Sequence, residues 1–172
     1  MPNAYIPDPQ QRIEQVVLTY LSSSLAGTDL IDPETSWYAG MSQDDKEGPA
    51  VVVACDTCEE TYWQTRVYRG TVAVLCKQVA WDSTTSSLAT GSIINLGGNV
   101  HALLADSGTA VSGINAMVAS SSQDVLVHQT QMRGFKSERI QDSWISGLEV
   151  DVIFKLYPNT GPTGTAPAIA AN

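Results

Sequence analysis

The sequence predicts an α+β domain: a mixed, mainly antiparallel sheet packed with two main helices, in the order α-β-β-α-β-β. Three observations carry this. Two segments repeat apolar residues at three- and four-residue spacing, the period of a helix with one buried face. Two β-branched runs, Ala50 to Cys55 and Thr65 to Lys77, lie close enough in sequence to pair as antiparallel neighbours. The segment Trp144 to Tyr157 alternates apolar and polar residues, as a strand with one buried and one wet face does. Paired strands separated by helices are the α+β pattern. A chain of 172 residues amounts to one domain. The expected organisation is an extended arm over 1–9, a single domain over 10–157 and a Pro/Gly/Thr/Ala tail over 158–172.

The first helix is expected from about Gln10 to Ala26. Ile13, Val16, Val17, Tyr20, Leu21 and Leu25 form its apolar stripe, and Gly27 supplies the stop. From Thr28 to Pro49 the chain reads as irregular, broken by Pro33, Gly40, Gly48 and Pro49. Trp37, Tyr38 and Met41 stand out in this loop. They are either an anchor folded back onto the domain or a surface for another chain, because large aromatics are enriched at interfaces. Val51, Val52 and Val53 make the first run a buried strand, and Asp56 to Tyr62 reads as a turn. In the second strand Tyr68, Val72, Val74 and Cys76 share a face, and Gly70 marks a bulge or a close backbone approach.

Residues Gln78 to Gly98 read as a long Ser/Thr/Gly loop, with Trp81 its one aromatic and Ile93, Ile94 and Leu96 tucking its end onto the core. Asn99 is the expected N-cap of a second helix running to about Ala119, on the period of Leu103, Leu104, Val111, Ile114 and Val118. Gly108 and Gly113 each weaken that helix by about 1 kcal/mol relative to alanine. A third strand is expected over Val125 to Met132, followed by a polar connection over Gly134 to Ser143. In the last strand Trp144, Leu148, Val150, Val152, Phe154 and Leu156 point one way, and Glu149, Asp151 and Lys155 the other.

Charge and motifs narrow the chemistry. Eighteen acidic residues against nine basic ones give a net charge of −9. A surface of that sign repels nucleic acid and anionic membranes. No apolar run is long enough to cross a bilayer. The first ten residues hold neither a basic nor an apolar signal region, so no secretory signal is expected. No nucleophile elbow, Walker loop, G-x-G-x-x-G or H-E-x-x-H occurs. Neither an enzyme nor a bound cofactor is expected.

Cys55-Asp-Thr-Cys58 is a C-x-x-C pair, with a third cysteine at Cys76. Redox chemistry favours such a pair at a helix start, where a thiol pKa falls. Here the flanks read as strand, turn and strand, and Glu59 and Glu60 follow directly, charges that raise a thiol pKa. Zinc wants four ligands, usually as two close pairs, and Cys76, His101 and His128 form no second pair. The expected role of Cys55 and Cys58 is that of small apolar residues near a strand end. A metal or redox module is the sharper alternative.

The order of elements resembles that of the tail terminator proteins of long-tailed phages, the lambda-type minor tail and head–tail joining family. The resemblance spans about Gln10 to Tyr157. It rests on the opening amphipathic helix, the Pro49-Ala-Val-Val-Val53 and Tyr68-Arg-Gly-Thr-Val-Ala-Val74 strands, and the Leu103 to Val118 helix. It continues through Ile140-Gln-Asp-Ser-Trp144 into the Leu148-Glu-Val-Asp-Val-Ile-Phe154 strand. The long Ser/Thr loop, the C-x-x-C and the tail depart from the pattern.

The resemblance implies a structural virion protein. It would form a homo-oligomeric, hexameric ring that caps the tail tube, assembled in the host cytoplasm. Its partners would be the tail tube protein, a head–tail connector or stopper, and double-stranded DNA passing without specific binding. A lumen lined with carboxylates lets a duplex slide, and Glu149, Asp151, Asp56, Glu59 and Glu60 are the candidates for it. Trp37, Tyr38 and Trp81 are the candidates for subunit interfaces. The alternatives are another neck protein, the C-x-x-C metal or redox module, and a ligand-binding domain lidded by the Ser/Thr loop.

Overall fold

In the computed structural model the described residues are 7–40, 48–79, 81–82, 87–88, 92–140 and 143–158. The fold is α+β, with a five-stranded sheet in the order β1-β2-β3-β7-β6. The strands are β1 (Ser36–Ala39), β2 (Ala50–Glu60), β3 (Val67–Val79), β6 (Val125–Ile140) and β7 (Ser143–Leu156). All neighbours pair antiparallel except β1, which runs parallel to β2. A separate two-residue pair, β4 (Trp81–Asp82) with β5 (Ser87–Leu88), lies in the expected Ser/Thr loop.

Among the described residues three helices pack on this scaffold: α1 (Pro9–Leu25), α2 (Ser92–Ala105) and α3 (Ser107–Ser121). Proline at the first position costs α1 nothing, because that N–H has no intrahelical partner. The Asp8 side chain caps the helix by accepting from Gln11 N at 3.0 Å. Gly27 ends it in the left-handed region, with φ 76°. The whole expected stripe of α1, from Ile13 to Leu25, is buried. It packs with Val51, Val53, Val72, Val74, Val150, Val152 and Phe154, which lie on one side of the sheet. Leu96, Val100 and Leu104 of α2, with Ile114 and Val118 of α3, complete the same core. The helices thus cover one face of the sheet, and no described helix covers the other.

Several expectations are corrected. The irregular stretch before Pro49 contains β1, held by parallel pairing to β2. The turn expected over Asp56 to Tyr62 is largely strand, because β2 continues to Glu60 opposite Tyr68. Asn99 does not cap a helix: it lies inside α2, and its Nδ2 donates to Leu30 O at 2.9 Å. The second helix begins seven residues earlier, at Ser92, and is divided at Asp106. Asp106 caps α3 through Gly108 N and Thr109 Oγ1, which hold its carboxyl below the usual range. The polar connection over Gly134 to Ser143 is strand as far as Ile140, paired along β7.

Gly113 permits a close approach between helices: a side chain there would meet the Tyr20 ring at 2.6 Å, so its absence lets α3 lie against α1. All of the expected tail over 158–172 except Pro158, most of the arm, and Met41 lie outside the described residues. So do the side chains of Trp81, Ile93 and Ile94.

Candidate functional site

The sheet face without helices gathers most of the polar chemistry. Side chains alternate across a strand, so register defines the rows of this face. Ala54, Ala73, Glu149 and Gly134 form one row. Thr57, Thr71, Asp151 and Gln131 form the next, and Glu59, Arg69, Ile153 and Gln129 the third. Small side chains make the face low and broad at its centre.

Asp151 sits in the middle of this face and is only 4% exposed. Thr71 Oγ1 donates to its Oδ1 at 2.9 Å. Arg133 Nε lies 2.9 Å and Arg69 Nη2 3.6 Å from its Oδ2. Arg133 reaches it because an irregularity between Met132 and Gly134 leaves residue 133 outside the ladder. Asp151 is therefore corrected as a lumen candidate: its charge is neutralised by two guanidinium groups and shielded from solvent.

The other carboxylate candidates divide. Glu149 and Glu59 are exposed on the helix-free face. Asp56 is exposed and stands at the β2 bulge, between Cys55 and Thr57. Glu60 belongs elsewhere: its row runs through Tyr68 and Phe154 on the helix side. Its Oε1 accepts from Arg66 N at 2.8 Å and holds the following turn. With Arg69, Arg133 and Lys155 beside Glu59, Glu149 and Asp151, the face is mixed in sign rather than purely acidic.

The aromatic candidates separate as well. Trp37 pairs with Val51 in register and packs against the hydrophobic core, so it is an anchor folded back onto the domain. Tyr38 is half-buried in the same edge strand. The most exposed aromatics among the described residues are instead Tyr62 and Trp63, 71% and 85% accessible, at the tip of the β2–β3 hairpin. Sequence reasoning missed Trp63. The signal available was two adjacent aromatics inside a turn between two strands. Gln64 and Arg66 in this turn adopt positive φ, 61° and 57°. For residues other than glycine that is a strained conformation, and such strain concentrates at functional loops.

Cys55 and Cys58 both lie on β2, not on either side of a turn. All three cysteines are free thiols. Burial pushes the Cys76 thiol up to about 12. The Cys55 thiol is raised by the neighbouring Cys58 thiol, by burial and by nearby negative charge. The Cys58 thiol is lowered, because the influence of the Cys55 thiol outweighs burial and the charges of Asp8 and Glu59. The neighbouring carboxylates therefore do not decide its acidity, contrary to the expectation from sequence. Among the described residues no three His, Cys, Asp or Glu side chains converge to hold a metal ion. His101 packs against Phe135 with ring centroids 4.7 Å apart and planes tilted by 48°. Among the described residues no helix is long and apolar enough to cross a membrane. Compared with protein-family models and with curated protein sequences, the chain matches none.

Proposed function

We propose that the protein is a structural virion component, a tail terminator whose copies close into a hexameric ring on the tail tube and join it to the head connector. The observation that carries the reading is the one-sided sheet. Helices bury one face, while the other presents exposed Glu59, Glu149 and Gln131 among small residues. Such a polar face is at home in water, and in a closed ring it is the face suited to line a water-filled channel.

On β6 the first half of the edge is occupied by α3, where Asn115 pairs with Val127 N and O and Ser107 Oγ accepts from Thr130 N, so the contacts proposed with a neighbour use the remaining half of β6 and the opposite edge strand, β1. The last eight residues of β6 are all exposed, Phe135 and Ile140 among them. A ring interface is heterologous, one patch meeting a different patch on the next copy, and two unlike edges suit that requirement. The chain's charge of −9 sums over the ring to a strongly acidic body that phosphates pass without adhering. On the open face Glu149 and Glu59 stand beside Arg69, Arg133 and Lys155, so the repulsion rests on the net charge of the ring rather than on this face alone, with Asp151 as a structural group.

The test is the solution mass of the purified protein by light scattering, with negative-stain images of the same peak. Rings, alone or on addition of polymerised tube protein, are the expected result. A protein that stays monomeric in both conditions overturns the reading.

A further inference from the structure

A C-x-x-C pair on a regular strand points its two sulfurs to opposite faces, because side chains alternate with a period of two. On β2 it does not. Cys55 pairs with Val72 and Thr57 with Thr71, so Asp56 is an extra residue with no partner across the ladder. The bulge resets the alternation. Cys58 falls opposite Gly70, two residues from Val72 on β3, and therefore shares the face of Cys55. The Cys55 thiol is directed along the bulge toward this position, donating to Thr57 O at 3.2 Å.

The surroundings fit such a pair. Gly70 offers no side chain opposite Cys58, and a Cβ there would lie 3.3 Å from Cys55 Sγ. Helix α1 holds the Cys55 backbone from both sides: Gln10 Nε2 donates to its carbonyl at 2.5 Å, and its N–H donates to Glu14 Oε1 at 2.8 Å. Cys55 is 3% exposed, whereas Cys58 is half-buried. One thiol is reachable from solvent and its neighbour is shielded.

We propose that Cys55 and Cys58 form a redox-active dithiol that closes to an intrastrand disulfide across the β2 bulge, with Cys58 reacting first and Cys55 resolving. The oxidant is a low-molecular-weight disulfide of the glutathione class. Cys58 gives up its proton, and its sulfur attacks one sulfur of the oxidant. The oxidant's S–S bond breaks, and the first small thiolate leaves and takes up that proton. Cys55 then gives up its proton and its sulfur attacks the Cys58 sulfur, expelling the second small thiolate, which is protonated in turn. Two protein thiols become one disulfide, and one small disulfide is reduced to two thiols. The bulge already interrupts the ladder, so it is where the backbone yields as the sulfurs close. The consequence is a strand locked beside α1.

The test uses the full chain, incubated under native conditions with excess oxidised glutathione and read by intact mass and non-reducing peptide mapping. The expected result is loss of two hydrogens with no retained glutathione, mapped to the peptide holding Cys55 and Cys58. Cys58→Ser should lose the reaction, and Cys55→Ser should trap a glutathione adduct on Cys58. Wild-type protein that stays unmodified, that accumulates the adduct, or that bridges to Cys76 overturns the proposal. The wild-type result decides it even if a variant fails to fold.

Discussion

Arg12 holds Asp124 through two parallel hydrogen bonds, Nε to Oδ2 at 2.7 Å and Nη2 to Oδ1 at 2.8 Å. The pair joins the first turn of α1 to the link between α3 and β6, across most of the chain's length. Ser122 supports it, accepting from Arg12 Nη2 at 2.8 Å and donating to Asp124 Oδ1 at 2.5 Å. Asp124 is buried, so removing its partner leaves an uncompensated charge. Arg12→Ala should lower unfolding free energy by about 3 kcal/mol, read from urea denaturation midpoints. Arg12→Lys should recover only part of this, because an ammonium cannot present the two-pronged geometry.

The same pair makes stability depend on pH. Burial raises the Asp124 pKa, but hydrogen bonds from Arg12 and Ser122 and the Arg12 charge overcome it, so the folded value lies below 3.8. A depressed folded pKa contributes stability that is complete above the unfolded value and is lost as pH falls through the folded one. Wild-type protein should therefore lose stability steeply below about pH 4. Asp124→Asn should be weaker at neutral pH and show a shallower decline in acid. Urea midpoints for both proteins across that range are the measurement.

Gly97 and Gly98 are adjacent in α2, yet they should respond oppositely to alanine. A Cβ on Gly97 would lie 2.5 Å from Ser146 Cβ on β7, whereas nothing lies within 4 Å of one on Gly98. Gly98→Ala should stabilise by up to about 1 kcal/mol through helix propensity. Gly97→Ala should destabilise by about 2 kcal/mol, because overpacking against a strand exceeds that gain. Thermal melts of the two variants separate packing from propensity.

Trp63 contacts the core nowhere near enough to matter for folding, being 85% exposed. Under the proposed ring, Tyr62 and Trp63 are contact residues for a neighbouring copy. Tyr62→Ala with Trp63→Ala should leave monomer stability within about 0.5 kcal/mol of wild type and abolish ring formation. Denaturation curves and light scattering on the same samples check both halves. Unchanged ring formation removes the hairpin tip from the interface.

The regular elements were legible in the sequence because their burial follows a simple period. The stripe of α1 and the alternation of Leu148, Val150, Val152 and Phe154 against Glu149 each bury one face, and hydrophobic spacing records that directly. The antiparallel pairing of β2 with β3 followed from their nearness in the chain. Where the determining partner is remote, the local residues carried no such record. β1 is four residues, Ser-Trp-Tyr-Ala, and is a strand only because β2 offers it a parallel edge. The polar half of β6 is strand because β7 supplies a ladder as far as Ser143. Asp151 has the alternation of a wet-face residue, but Arg69, Thr71 and Arg133 converge on it from both neighbouring strands and bury it. Cys55 and Cys58, three residues apart, would face opposite ways on a regular strand, and one bulged residue between them turns both to the same side. Period and propensity thus set which segments are helix or strand. Register, bulges and cross-strand neighbours, which exist only once distant segments pair, decided which charges are buried and which thiols meet.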